Sequence, residues 1–413
     1  MDPTPRRRAR PTPRRVAVGL LAVLALAACT TPSPSPAPTA GSGTLTPEVT
    51  PTPSAPAVAF KPSVDEGATV PVDTVVSVAA SGGSITAVQL TYQDPKTGPQ
   101  AVEGTIAPDG SAWTARSLLE PGVAYTMAMT GVNVDGQQST ASRGFTSQNL
   151  SKKQQIYPRL VADGATVGIA MPVVVTFDVP VTDRASFEKR MTVTSVPAQR
   201  GSWSWFSNTE VHWRPESYWQ PGTTVSVNLD LNSVPAGNGT YGQMSLAGGF
   251  TVGKALTMKA DLAAHQLTVT IDGAVARTIP VTGGKRGWES RSGTKVIMEK
   301  FSTLKMDAST LGIEKDDPNY YSIPDVRYAM RETWSGEFLH AAPWSVGSQG
   351  RANVSHGCIG MSTGNAAWLF NQVKVGDPIV VTGTGKGMEK GNGWTDWNVS
   401  FADYQAGSAL TQA

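Results

Sequence analysis

Gly67-Ala68-Thr69-Val70 recurs as Gly164-Ala165-Thr166-Val167, and Trp113, with Pro121-Gly122 after it, recurs as Trp213 with Pro221-Gly222 after it. The two anchors repeat at offsets of 97 and 100 residues, so a unit of that length is duplicated. Within the copies, Thr74-Val75-Val76-Ser77-Val78 and Pro172-Val173-Val174-Val175-Thr176-Phe177 are rich in β-branched residues, which suit a pleated surface. Gly and Pro turn signals separate such runs, and helical periodicity is scarce. The pattern predicts two tandem immunoglobulin-like β-sandwiches over residues 57–149 and 150–252. Neither copy holds a cysteine, so each must rely on packing, with Trp113 and Trp213 as the expected anchors. His212, in the alternating run Glu210-Val211-His212-Trp213, is expected on a strand surface. The sandwiches read first as a rigid stalk, since a fold alone does not imply a binding site.

A third domain follows over residues 253–384. Leu256 to Asp261 and His265 to Ile271 alternate like paired strands, with His265 at their hairpin and exposed to water. Val275–Val281, Lys295–Met298, Val326–Thr333 and Gly336–His340 continue the β pattern. One helix is expected from Asn365 to Val373, capped by Ser362 or Thr363, before Gly376-Asp377-Pro378 turns into the strand Ile379-Val380-Val381. The fold class is therefore mainly β: two sandwiches, a β-rich third domain with one or two helices, and a short Trp-rich tail over 385–413 that is expected to pack on that domain.

Toward the N-terminus the composition changes twice. Arg6, Arg7, Arg8, Arg10, Arg14 and Arg15 precede an apolar stretch from Val16 to Ala28 that is short of the ~20 residues a membrane span requires, which is the pattern of an export signal over residues 1–28. Leu26-Ala27-Ala28-Cys29 resembles a bacterial lipobox, so Cys29 is the expected lipidation site. A lipid there would tether the chain to the outer face of a membrane. Residues 29–56 are dominated by Pro, Ser, Thr and Ala, with Glu48 the one charge; at ~3.1 Å per residue such a linker reaches up to ~80 Å. The net charge of +2 and a charged fraction of 16% give no support to nucleic-acid binding.

The chemistry concentrates between His340 and Cys358. A thiol of ordinary pKa ~8.5 is little ionised at neutral pH, so a nucleophilic cysteine needs a base beside it. His356, two residues before Cys358, and His340, remote in sequence, both qualify, and spacing does not choose between them. Gly357 lets backbone N–H groups approach a developing oxyanion. A zinc site would want a second cysteine close to these histidines or a His-Glu-x-x-His pattern, and neither is present, Cys29 being the expected lipidation site. The mechanism needs no metal and no cofactor.

Ser335-Gly336-Glu337-Phe338-Leu339-His340-Ala341-Ala342-Pro343-Trp344, followed by Asn353-Val354-Ser355-His356-Gly357-Cys358-Ile359, resembles the active-site stretch of L,D-transpeptidases of the YkuD type. Signal, two immunoglobulin-like domains, catalytic domain and Trp-rich tail together resemble the actinobacterial members. The resemblance implies peptidoglycan 3→3 cross-linking through a thioester on Cys358, with release of the terminal D-Ala of a tetrapeptide donor. It implies His340 as the base, oriented by the Ala341 carbonyl, and His356 as a residue shaping the nucleophile loop. Gly357 and Cys358 are the implied oxyanion donors. Tyr321, Ser335, Gly336, Ser355 and Gly360 are the implied donor-peptide contacts, and carbapenems the implied inhibitors. Gly360 stands where family members usually carry Arg or Asn, so Gly360→Asn is expected to strengthen donor binding. Two other classes share the motif: an L,D-carboxypeptidase that hydrolyses the same thioester, and a non-catalytic wall-binding lipoprotein.

Overall fold

The computed structural model describes residues 55–411. Cys29, the export signal and nearly all of the Pro-rich linker lie outside the described residues. No helix among the described residues is long and apolar enough to cross a membrane.

Two β-sandwiches come first. In one, a four-stranded sheet (Ala59–Pro62, Ser77–Ser81, Ala112–Ala115, Gly104–Ile106) and a five-stranded sheet (Thr69–Val70, Gln138–Ser147, Ala124–Val132, Ser84–Asp94, Gly98–Val102) enclose Leu90, Trp113, Leu119, Tyr125 and Met127. The strand expected from Thr74 begins at Ser77, because the Thr74 N–H closes a turn onto the Pro71 carbonyl at 3.1 Å. The second sandwich pairs Pro158–Leu160, Val173–Phe177, Glu210–Pro215 and Gly201–Trp205 in one sheet. Thr166–Val167, Leu246–Val252, Thr224–Leu229 and Met191–Val196 make the other. Trp213 stacks on Trp219 with ring centroids 5.4 Å apart, and both are buried. Each such ring removes on the order of 200 Å² from water, roughly 5 kcal/mol at 25 cal/mol per Å², which is how a sandwich without a disulfide holds its sheets together.

His212 departs from its expected place on a strand surface: it is fully buried. Nearly the whole Glu210–Pro215 strand is buried on both faces, because the C-terminal tail covers what would have been its outer face. His212 Nδ1 lies 3.0 and 3.1 Å from the two Asp396 carboxylate oxygens and Nε2 lies 2.8 Å from Glu210. Burial alone would lower its pKa, but Asp396 and Glu210 outweigh it and raise it to about 9. The tail, expected on the third domain, bridges both neighbours. Trp397 Nε1 donates to the Ala170 carbonyl (2.9 Å) and Arg214 sits over the Trp397 and Tyr404 rings, while Asn398 exchanges hydrogen bonds with the backbone of Thr294.

The third domain has two sheets. A five-stranded sheet runs Ala274–Pro280, Gln266–Ile271, Leu256–Asp261, Pro378–Thr382, Gly293–Val296; a four-stranded sheet runs Glu299–Asp307, Ser322–Arg331, Phe338–Ala341, Ile359–Met361. The helix Thr363–Gln372 is capped by Ser362, which accepts from the Asn365 N–H, and it buries Ala366 and Leu369 among Leu339, Ile359 and Met361. His265, expected to be solvated, has φ +57 at its turn, is half-buried, and hydrogen-bonds Asn353 across 3.0 Å. Contact with the second sandwich combines apolar packing, Val296 and Met298 joining its buried core, with backbone bonds: the Gly168 and Ala170 N–H groups donate to the Val375 and Gly376 carbonyls at 2.8 and 2.9 Å. A Cβ on Gly168 would fall 2.1 Å from the Asp377 nitrogen, so only glycine allows this approach.

Candidate active site

The Phe338–Ala341 and Ile359–Met361 strands pair in parallel, with His340 opposite Gly360. Cys358 lies two residues before Gly360, so the pairing brings together two residues that are remote in sequence. The segment from Thr282 to Ser290 clamps the loop between them. Thr282 and Gly360 exchange backbone hydrogen bonds at 3.0 and 2.9 Å, the Ser355 N–H donates to the Gly283 carbonyl (3.0 Å), and Ser290 Oγ donates to the Gly357 carbonyl (2.7 Å).

Cys358 is a free thiol, 8% exposed. Its Sγ points to the Gly336 carbonyl at 3.6 Å, and the Phe338 backbone N–H favours its charged form. Burial pushes the thiol up to about 12, and the negative charge of Glu337 adds to this. His340 is buried, and its Nδ1 lies 2.8 Å from the Ala341 carbonyl. A carbonyl only accepts, so Nδ1 carries the proton and Nε2 has the free lone pair. Burial lowers the His340 pKa below its ordinary 6.5, partly opposed by that carbonyl, so the ring is neutral at pH 7. Trp344 stacks on it at 5.8 Å.

His340, Cys358, His356, Tyr321, Ser355 and Gly360 all border one cavity of about 310 Å³, completed mainly by Thr282, Met306, Ile323, Trp344 and Val354. His356 is held 5.1 Å from both Trp288 and Tyr321, and its Nε2 is buried with no partner among the described residues. Burial lowers its pKa, with Lys285 adding to the effect. A second cleft of about 200 Å³, on the other side of Met306 and Tyr321, is bordered by Gly336, Phe338, Arg331 and Trp334. Burial raises the Tyr321 hydroxyl to about 12, so it stays protonated.

Four expected residues behave differently from their expectation. The Gly357 N–H, expected to face an oxyanion, donates to Ser355 Oγ at 3.1 Å, and that hydroxyl donates to the Cys358 carbonyl at 2.6 Å. Ser355 thus closes the Cys358 loop on itself rather than offering its hydroxyl to a ligand. Ser335 is exposed outside the cavity, in a turn where it pairs with Thr333 and Asn392. Gly360 has no space for a side chain: a Cβ there would fall 2.8 Å from Ala342 Cβ and 3.2 Å from Thr282 Cγ2. The expected gain from Gly360→Asn is overturned by that contact. Thr282 and Ser290 carried no sequence signal, being an ordinary threonine and serine about 70 residues from the cysteine. Trp344 stood inside the motif without a role. No cluster of three or more His, Cys, Asp or Glu side chains that could hold a metal ion occurs among the described residues.

Comparison with known proteins gives two family matches: a bacterial Ig domain over residues 67–235 and an L,D-transpeptidase catalytic domain over residues 257–381. L,D-transpeptidase 2 of Mycobacterium tuberculosis (strain CDC 1551 / Oshkosh) is 36% identical over 350 residues, covering 84% of each chain. L,D-transpeptidase 1 of Mycobacterium tuberculosis (strain ATCC 25618 / H37Rv) is 44% identical over 222 residues, which is 54% of this chain and 82% of that one. A solved LD transpeptidase in complex with imipenem shares 42% identity, covering 54% of this chain and 97% of its own, with a TM-score of 0.48.

Proposed function

The chain belongs to the L,D-transpeptidase family, and from that membership we propose that it cross-links peptidoglycan stem peptides 3→3 through an acyl-enzyme on Cys358. The observation that carries this is the pairing, at one cavity, of a buried neutral thiol with a neutral imidazole whose Nδ1 proton is held by the Ala341 carbonyl. Because burial keeps the thiol protonated, the resting pair is neutral, and the proton leaves only as the nucleophile attacks. His340 Nε2 takes it while Sγ bonds to the carbonyl carbon of the third stem residue. Collapse of the tetrahedral intermediate breaks the C–N bond to the terminal D-Ala, whose amine receives that proton. The side-chain amine of a second stem then attacks the thioester, transferring a proton to His340 and restoring the thiol. With the Gly357 N–H engaged by Ser355, the Cys358 N–H is the oxyanion donor left in the loop.

Incubating the protein with labelled tetrapeptide stems tests this. Dimers that disappear in Cys358→Ala are the expected product. Tripeptide alone would mean hydrolysis and an L,D-carboxypeptidase, and no turnover by the folded protein would leave the wall-binding reading. A carbapenem is expected to add its mass to the peptide holding Cys358. Lipidation of Cys29 would keep the enzyme on the outer face of the cytoplasmic membrane, and Cys29→Ser is then expected to move it to the soluble fraction.

A further inference from the structure

Beneath the cysteine lies a chain of buried charges that the acyl-transfer steps do not use. Lys295, with no exposed side-chain surface, donates to Glu332 at 2.8 Å and to Glu337 at 2.5 Å. The other Glu337 oxygen accepts from Arg291 Nη1 at 2.7 Å, and the Arg291 backbone N–H reaches the same carboxylate at 3.2 and 3.3 Å. Arg291 in turn pairs with Glu389 of the tail segment. Ions this deeply buried are costly unless paired and hydrogen-bonded, and Glu337 has all of these partners within its reach. Its position along the chain gives that rigidity a direction. Gly336, just before it, supplies the carbonyl facing Sγ at 3.6 Å, and Phe338, just after it, supplies the backbone N–H that favours a charged sulfur. The Glu337 side chain also underlies the nucleophile loop, since a Cβ on Gly357 would stand 3.4 Å from Glu337 Cγ. Ser290, the residue before Arg291, holds the Gly357 carbonyl. One carboxylate therefore ties together both backbone groups at the sulfur and the floor of the loop that carries it.

We propose that Glu337, clamped by Lys295 and Arg291, is a positioning residue that holds the Cys358 sulfur in line for attack. This rests on Cys358 being the nucleophile. Glu332 is the internal control: it shares Lys295 and is equally buried, but its neighbours in the chain do not touch the sulfur.

The test compares Glu337→Gln and Glu332→Gln in the full chain, measuring the saturating rate constant and half-saturation concentration for acylation by a carbapenem, alkylation of Cys358 by iodoacetamide, and melting temperature. Misplacing a reacting atom by ~1 Å costs roughly 100-fold. Glu337→Gln is expected to slow the saturating rate constant by about that factor with the half-saturation concentration little changed. Glu332→Gln is expected to lower the melting temperature comparably while reacting within about 3-fold of wild type, a difference small beside a positioning loss. A partly unfolded population would reduce the amplitude of acylation, not its rate constant, so a structural loss is distinguishable. Equal rate constants in the two variants, or a Glu337→Gln defect confined to amplitude, would overturn the proposal. If the wild type takes no carbapenem, the reading of Cys358 fails, and a Glu337→Gln alkylation rate equal to wild type then overturns the positioning role as well.

Discussion

Gly360→Ala is a small change with a large expected consequence. The added Cβ falls 2.8 Å from Ala342 Cβ and 3.2 Å from Thr282 Cγ2, where carbon atoms prefer ~3.5–4.0 Å. Relief requires close to 1 Å of movement, and neither neighbour is the end of a flexible side chain. Thr282 is locked to Gly360 by two backbone hydrogen bonds, and the Ala342 N–H donates to the Met361 carbonyl at 2.8 Å. The strand must shift as a body, at a cost of about 2 kcal/mol for overpacking, or roughly 5 °C in melting temperature. Because Gly360 is the register partner of His340, the same shift moves His340 against Cys358, the proposed base and nucleophile, and acylation should slow by about 100-fold. Thermal melting and time-resolved intact mass with a carbapenem read the two effects. Ala342→Gly in the same chain removes the nearer contact and should restore most of both. A Gly360→Ala protein with wild-type melting temperature and rate, or a double variant as impaired as the single one, would refute the steric argument.

Other expectations follow from the same geometry. The folded His212 pKa of about 9 lies above its ordinary 6.5, so its contribution to stability is complete below pH 6.5 and is lost as pH rises through 9. That difference corresponds to about 3 kcal/mol; melting curves from pH 6 to 9.5 should show the loss, and a slope unchanged in His212→Gln would contradict the assignment. His340 has a lowered pKa, and with it as the proposed neutral base the acylation rate should be level at pH 7 and above and decline only on acidification below pH 6.5. His340→Asn should react ~10²–10⁴-fold more slowly, and a wild-type rate that rises on acidification would exclude this role. Ser355→Ala leaves the Gly357 N–H and the Cys358 carbonyl without their partner, each loss costing ~1–3 kcal/mol; unchanged stability and acylation in that variant would mean that the loop does not depend on the hydroxyl.

Much of this was legible because it is local. The repeated Gly-Ala-Thr-Val and Trp-to-Pro-Gly anchors announce a duplicated β unit, and the helix after Ser362 was readable from its cap and the turn that follows. Cys358 with a histidine nearby signals nucleophilic chemistry, since a thiol needs a base. His212 was misread for the converse reason. Alternation along Glu210–Trp213 describes a strand with one wet face, and nothing near it in sequence reveals that Asp396 and Tyr404 cover that face from the far end of the chain.

The sequence by itself determined the classes of structure and chemistry: β-branched runs between Gly and Pro turns, a helix start, and a thiol with two candidate bases. Those properties depend on neighbours a few residues apart. Tertiary structure alone decided which groups meet. Parallel pairing sets His340 opposite Gly360, the Ala341 carbonyl fixes the protonated nitrogen, Ser355 withdraws the Gly357 N–H, and Ala342 and Thr282 leave no space at Gly360. Each of these is an ångström-scale relation set by strand register and packing, and register depends on the whole sheet rather than on any single stretch of chain.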